Sequence, residues 1–254
     1  MNSRPVILFV ALLLSAAAHA QLQDTTIQQV KIVFEYSDHN FPGEWRNDQI
    51  NAQGQQIAIE EIPRSKKIIA MALGKYGDQL LEYNLKAVYF LRSMQFFQVG
   101  FGGTNSTDRL YLTNNGIPMG YTDRYIEQTF HHEFSSILFR NYSRFIDTAK
   151  WKKANDPTFD YNDPESGVGA IRKGRSSQVP DTSLARFGFL TEYSMSSLEN
   201  DLNTLAQNLF LPDQGFWDIF DMYPGIRTKT QLLIAFYNEL DKRYTEQYFR
   251  RFSH

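Results

Sequence analysis

The sequence predicts an α+β domain with a small mixed sheet and a helix-rich C-terminal half. Three observations carry this. Val30 to Tyr36 alternates apolar and polar residues and is rich in β-branched side chains, the period-two pattern of a strand. Thr122 to Tyr142 instead repeats its apolar residues at helical spacing. Helical patterning then returns after Ser197 and continues almost to the C-terminus.

The first twenty residues stand apart from this plan. Arg4 gives a positive n-region, Val6 to Leu14 is an unbroken apolar run, and Ala18-His19-Ala20 is a small-x-small cleavage site. Together they predict a secretory signal peptide, because the apolar run is too short to span a bilayer. Cleavage after Ala20 leaves Gln21 as the N-terminus, and the chain has no cysteine to carry a lipid. The expected product is periplasmic or secreted. Residues 21–254 suit a single domain that buries a core without disulfides. The formal charge is −2, one unit more negative without Arg4, which leaves no electrostatic footprint for nucleic acid.

The elements follow in order. Val30–Tyr36 reads as a strand and His39–Gln56, rich in Asn, Gly and Pro, as a loop. Pro63 opens a helix expected to reach Tyr83, with Ile68, Ile69, Ala72, Leu73, Tyr76 and Leu80 on its apolar side. Leu85–Leu91 and Phe96–Val99 read as strands, Gly100–Gly103 as a glycine-rich turn, Arg109–Leu112 as a short strand and Thr113–Gly116 as a turn. The helix Thr122–Tyr142 sets Ile126, Phe130, Phe134, Ile137 and Leu138 on one side, with His132 and Ser136 roughly opposite and Glu133 at the edge. Asn155–Pro180 reads as a long loop carrying the basic group Arg172, Lys173 and Arg175. Ser196 or Ser197 caps a helix to Phe210, and Asp213–Asp221 and Thr228–Phe249 supply the last helices.

The chemistry is concentrated in His131-His132-Glu133-Phe134-Ser135-Ser136. In H-E-x-x-H, two histidines one helical turn apart grip a zinc ion and the glutamate acts as general base. His132 and Glu133 occupy the first two motif positions, but Ser136 stands where the second histidine belongs, so the motif is degenerate. His131 points about 100° away around the helix, toward the apolar side. Asn105-Ser106-Thr107 and Asn141-Tyr142-Ser143 match the N-glycosylation pattern.

The order of motifs resembles the zinc-binding metallopeptidases encoded beside bacterial outer-membrane nutrient-uptake systems, which have a zincin fold. The residues that carry the likeness are Leu85-Lys86-Ala87-Val88-Tyr89-Phe90-Leu91, the Gly-rich turn, Leu110-Tyr111-Leu112-Thr113, the TFHHEF stretch, Gly188-Phe189-Leu190-Thr191-Glu192-Tyr193-Ser194 and Glu199-Asn200-Asp201-Leu202. The resemblance implies a zincin-like fold, His132 as a zinc ligand, Glu133 as base, Tyr193 as an oxyanion donor and Glu199 as the third ligand. A shift of one residue would put Asn200 there instead. It also implies a peptide or other polymer as the occupant of the cleft. Three functional readings stand at this point: a zincin-like binding protein with impaired or absent zinc catalysis, an active zinc hydrolase with an atypical ligand set, and a structural envelope protein.

Overall fold

A computed structural model describes residues 24–162 and 164–253. The expected signal peptide lies outside the described residues. Among those residues, no helix is long and apolar enough to cross a membrane.

The alternating residues after Gln29 form β2 (Val30–Val33), which pairs antiparallel with β1 (Thr25–Ile27). β3 (Gln53–Gln56) follows a loop of two 3-10 turns. The helix expected over Pro63–Tyr83 is two helices, α1 (Ile62–Leu73) and α2 (Asp78–Asn84). The chain breaks between Gly74 and Gly77, where glycine costs most in a helix. β4 (Ala87–Phe96) is longer than expected and runs straight through Phe96. It turns at Phe97 and Gln98, both at positive φ, into β5 (Val99–Phe101). The strand expected over Phe96–Val99 is therefore a hairpin turn, one that the pattern does not signal because it uses neither Gly nor Asn. β6 (Gly103–Asn105) and β7 (Arg109–Thr113) complete the sheet.

The sheet order is β1-β2-β4-β7-β6, with β3 and β5 flanking the far half of β4. β4 is parallel to β2 and β7, while β6 is antiparallel to β7 and lies at the edge. Strand alternation divides the core in two. Val88, Phe90, Leu110 and Leu112 face the helices. Leu91, Phe96 and Tyr111 instead meet Phe41 and Trp45 from the N-terminal loop.

The long helix α3 (Asp123–Tyr142) begins where predicted, with Thr122 Oγ1 accepting from Tyr125 N at 3.1 Å. Its predicted apolar face, Ile126 through Leu138, is buried against the sheet and the C-terminal helices. After it come α4 (Thr148–Lys153), α5 (Ser166–Arg172) and α6 (Thr182–Ala185). The segment expected to be structureless therefore contains α5, a two-turn helix whose two glycines (Gly167 and Gly169) hide it from periodicity. α7 (Leu198–Phe210) is capped by Ser197 Oγ, which accepts from Asn200 N at 3.0 Å. α8 (Phe216–Met222), α9 (Pro224–Leu240) and α10 (Glu246–Arg250) close the chain. The single helix expected from Thr228 to Phe249 breaks after Leu240, where Asp241–Thr245 turns back and Tyr244 drops into the core.

Two buried polar networks fix the helices. Lys229 Nζ on α9 donates to Asp201 Oδ2 on α7 at 2.6 Å and to the Gly188 carbonyl at 2.6 Å. Trp151 Nε1 and the Tyr161 hydroxyl donate to the same carboxylate at 2.8 and 2.5 Å. Beneath α3, Lys75 meets Glu127 at 2.7 Å and the Tyr76 hydroxyl lies 2.9 Å from His131 Nδ1. His131 is fully buried, stacked on Phe210, and its imidazole is pushed down to about 4 by burial. It belongs to the core and is turned away from the cleft.

Candidate functional site

α3 and α7 lie side by side, and each presents residues at four-residue spacing to the other. His132, Ser136 and Arg140 project from α3; Glu199, Asn203 and Gln207 project from α7. Four residues is close to one helical turn, so each set forms a single row. The rows meet in opposite order. His132 Nδ1 lies 2.9 Å from Gln207 Oε1 at one end. At the other end Ser136 Oγ donates to Glu199 Oε1. Arg140 Nη1 donates to Ser136 Oγ at 2.7 Å and to Glu199 Oε1 at 3.3 Å.

The edge strand β6 closes the third side. Asn105 Nδ2 donates to Glu133 Oε2 at 2.5 Å, and Asn105 Oδ1 accepts from Arg140 Nη2 at 2.5 Å. Arg140 Nη2 also donates to the Ser106 carbonyl at 2.8 Å. One asparagine thus bridges the acid and the cation. A side chain at Gly102 or Gly103 would run into Tyr125 or into Thr129 and Glu133, so these glycines set how closely β6 approaches α3.

Two hollows flank the His132–Glu133 pair. The first, about 380 Å³, is bordered by Phe101, Tyr125, Gln178 and Gln207. The second, about 300 Å³, is bordered by Asn105, Ser136, Arg140 and Glu199, with residues Glu165 to Val168 of the α5 region. Tyr193 borders both, its ring centroid 5.9 Å from that of His132. The segment read as a long loop therefore contributes walls to the cleft.

Electrostatics make the cleft nearly neutral. Burial pushes the His132 imidazole down to about 4, so it is uncharged at neutral pH. Burial also raises the Glu133 carboxyl to about 7; Asn105 lowers it, Glu199 adds to the rise and Arg140 opposes it. The Tyr193 phenol is raised by burial and by the nearby carboxyls, and stays a hydrogen-bond donor. Arg140 and Glu199 balance each other.

The structure thus brings His132, Glu133, Tyr193 and Glu199 to one cleft. Glu199, rather than Asn200, faces Ser136; the Asn200 amide donates to Ser196 Oγ at 2.8 Å. Asn105, Arg140 and Gln207 are site residues that the sequence motif does not mark. Arg140 and Gln207 carry a signal in retrospect, because they extend the rows begun by Ser136 and Glu199. Asn105 appeared only as part of a glycosylation pattern, whereas its amide is committed to Glu133 and Arg140.

Comparison with known proteins bears on the fold. The crystal structure of "a putative zinc-binding metallo-peptidase from Bacteroides caccae" superposes with a TM-score of 0.55 and 12% sequence identity, over 88% of this chain and 85% of that one. The fold is zincin-like. No family model matches the sequence, and no curated protein matches it.

The zincin-like fold raises the question of zinc. A structural or catalytic zinc needs at least three protein ligands from His, Cys, Asp or Glu. Among the described residues no three such side chains gather in a way that would hold a metal. The place of a second imidazole holds a serine, and the carboxylate that could complete the set is bonded to Ser136 and a guanidinium. The donor set does not fit zinc.

Proposed function

We propose that this chain is a zinc-free binding protein built on a zincin-like fold, and that its cleft holds an extended peptide. The observation that carries this reading is Arg140: a fixed cation, bonded to Ser136 and Glu199, stands among the groups that would otherwise serve a metal. A guanidinium keeps its charge at any ordinary pH, so a divalent ion brought here meets repulsion. The peptide part of the reading draws on β6. It pairs only with β7 among the described strands, and its residues Gly103, Thr104 and Asn105 line the cleft. Open strand edges take up extended chains by main-chain hydrogen bonds. The apolar run Val6–Leu14 and the small-x-small site at Ala18–Ala20 support export to the periplasm or beyond.

The test is a metal count on purified protein combined with peptide titration. The proposal expects no stoichiometric zinc, and saturable binding of unstructured peptides that leaves them uncut. One zinc per chain, lost on His132→Ala, would overturn the zinc-free reading and support the hydrolase instead. Absence of both zinc and peptide binding would favour a structural envelope role.

A further inference from the structure

The larger hollow has a chemical character of its own. Besides its tyrosines, the titratable groups that border it are His132, which is neutral, and Glu133; no Lys, Arg or Asp is among its described lining residues. An anionic side chain entering it would lose its water and gain no counterion, which is costly; a cationic one would meet only Glu133, a partly protonated carboxyl already engaged by Asn105. A purely apolar side chain would strand the polar groups already there.

Those polar groups are specific. Gln207 is 1% exposed, its Oε1 is engaged with His132 Nδ1, and its Nε2 has no partner. Gln178, which lines the same hollow, has a buried Oε1 without a partner. Buried polar atoms without partners are uncommon in folded proteins and call for an explanation, such as a ligand that completes them. Here they comprise one donor and one acceptor bordering the same hollow. Rotating the Gln207 amide by 180° swaps the roles within the His132–Gln207 unit together. Gln207 would then donate to Nδ1 and leave Oε1 free, while His132 Nε2 would carry the proton. The unit offers one donor and one acceptor in either arrangement.

We infer that this hollow is a side-chain subsite for a primary carboxamide, the end group of Gln or Asn, on a peptide lying along β6. A carboxamide oxygen accepts from the Gln207–His132 unit and its NH2 donates to Gln178 Oε1. Phe101 and Tyr125 cover the methylenes. This rests on the peptide-binding reading above and names the residue the cleft selects.

The test uses the intact chain and a set of alanine-rich heptapeptides that differ only at the central residue, carrying Gln, Asn, Glu, Lys or Leu, with affinities measured by calorimetry. The Gln or Asn peptide is expected to bind at least about tenfold tighter than the Glu, Lys and Leu peptides, because a site built to hydrogen-bond a group rejects analogues that lack it. Gln207→Leu and Gln178→Leu should each erase most of that preference while the Leu peptide still binds. Gln178 lies on the loop wall, so its variant keeps the test valid if Gln207→Leu weakens the fold. Equal binding of all five peptides would overturn the subsite and leave the peptide reading standing. Failure of every peptide to bind would remove the peptide reading and the subsite with it. Binding of N-acetylhexosamine oligomers in place of peptides would assign the hollow to an acetamido sugar and overturn the proposal.

Discussion

Arg140 reaches one helical turn back along α3 to donate from Nη1 to Ser136 Oγ at 2.7 Å. The residue in the motif's second histidine position is therefore a spacer for a cation. Serine is short enough to let the guanidinium lie over it and meet Glu199 and Asn105. A histidine at 136 would compete for the same space.

This yields a prediction about metal. Ser136→His alone restores the sequence motif but leaves the positive charge in place, so zinc affinity should stay weak. The double variant Ser136→His, Arg140→Leu removes the charge and releases Glu199. It should bind zinc at least about tenfold tighter than the single variant, a difference of about 1.4 kcal/mol. Competition against a chromophoric chelator measures both. Equal affinities for the two variants would show that Arg140 does not oppose a metal.

Glu133 predicts a pH dependence of stability. Its carboxyl is raised from 4.5 to about 7 in the folded state, with burial as the main cause. Between those values the folded chain binds more protons at this site than the unfolded chain does. Stability therefore falls as pH rises through that window, and the penalty is fully present above pH 7. Glu133→Gln removes the titration and keeps an acceptor for Asn105. The variant should match the parent near pH 4.5 and exceed it at pH 8. A gain on the order of 2–4 °C in Tm corresponds to about 1 kcal/mol for a chain of this size. Parallel Tm profiles across pH 4.5–8 would remove Glu133 as their cause.

How much of this was legible in the sequence follows from the range of the interactions. The buried face of α3 was legible because one helix carries the whole pattern, Ile126 through Leu138. β3 was not: Gln53-Gly54-Gln55-Gln56 has no apolar residue, and it is a strand because β4 supplies its hydrogen bonds. The break after Leu240 was hidden because apolar residues resume on the same period beyond the turn; the split at Gly74–Gly77 was signalled by its two glycines, which weaken a helix, although Tyr76 and Leu80 keep the period across it. In the site, His132 and Glu133 were visible as a local motif. Asn105 was not, because its role arises only where a strand passes a helix 28 residues later in the chain. Arg140 and Gln207 lay between these cases. Their spacing was local, but its meaning depended on knowing that α3 faces α7.

The pair Lys229–Asp201 supports the back of α7, two residues beyond Glu199 in sequence. Both side chains are almost fully buried, at 0% and 1% exposure. Lys229→Met leaves Asp201 buried with neutral donors only, and removing one partner of a buried pair costs about 3–5 kcal/mol. The double variant Lys229→Met, Asp201→Leu should be less destabilised than the two single effects added together. Urea unfolding of the four proteins closes this cycle. Strict additivity would show that the two groups act independently.

The closeness of β6 to α3 can be tested at a single atom. A Cβ on Gly103 would overlap the Thr129 methyl and lie 3.0 Å from Glu133 Cγ and Oε1, whereas a Cβ on Gly100 would meet nothing within 4 Å. The first contact is with a β-branched side chain held against its own helix, since Thr129 Oγ1 donates to the Tyr125 carbonyl at 2.7 Å. It cannot swing aside without losing that bond, so β6 must move outward. Overpacking of this kind costs about 1–3 kcal/mol. The outward shift also stretches the Asn105 bridge to Glu133 and Arg140, so Gly103→Ala should weaken peptide binding as well as stability. Gly100→Ala should stay within about 0.5 kcal/mol of the parent, as exposed substitutions usually do. Chemical denaturation and peptide titration on the two variants separate these effects. If Gly103→Ala is as stable as Gly100→Ala and binds peptide as tightly as the parent, the spacing between β6 and α3 does not control the cleft.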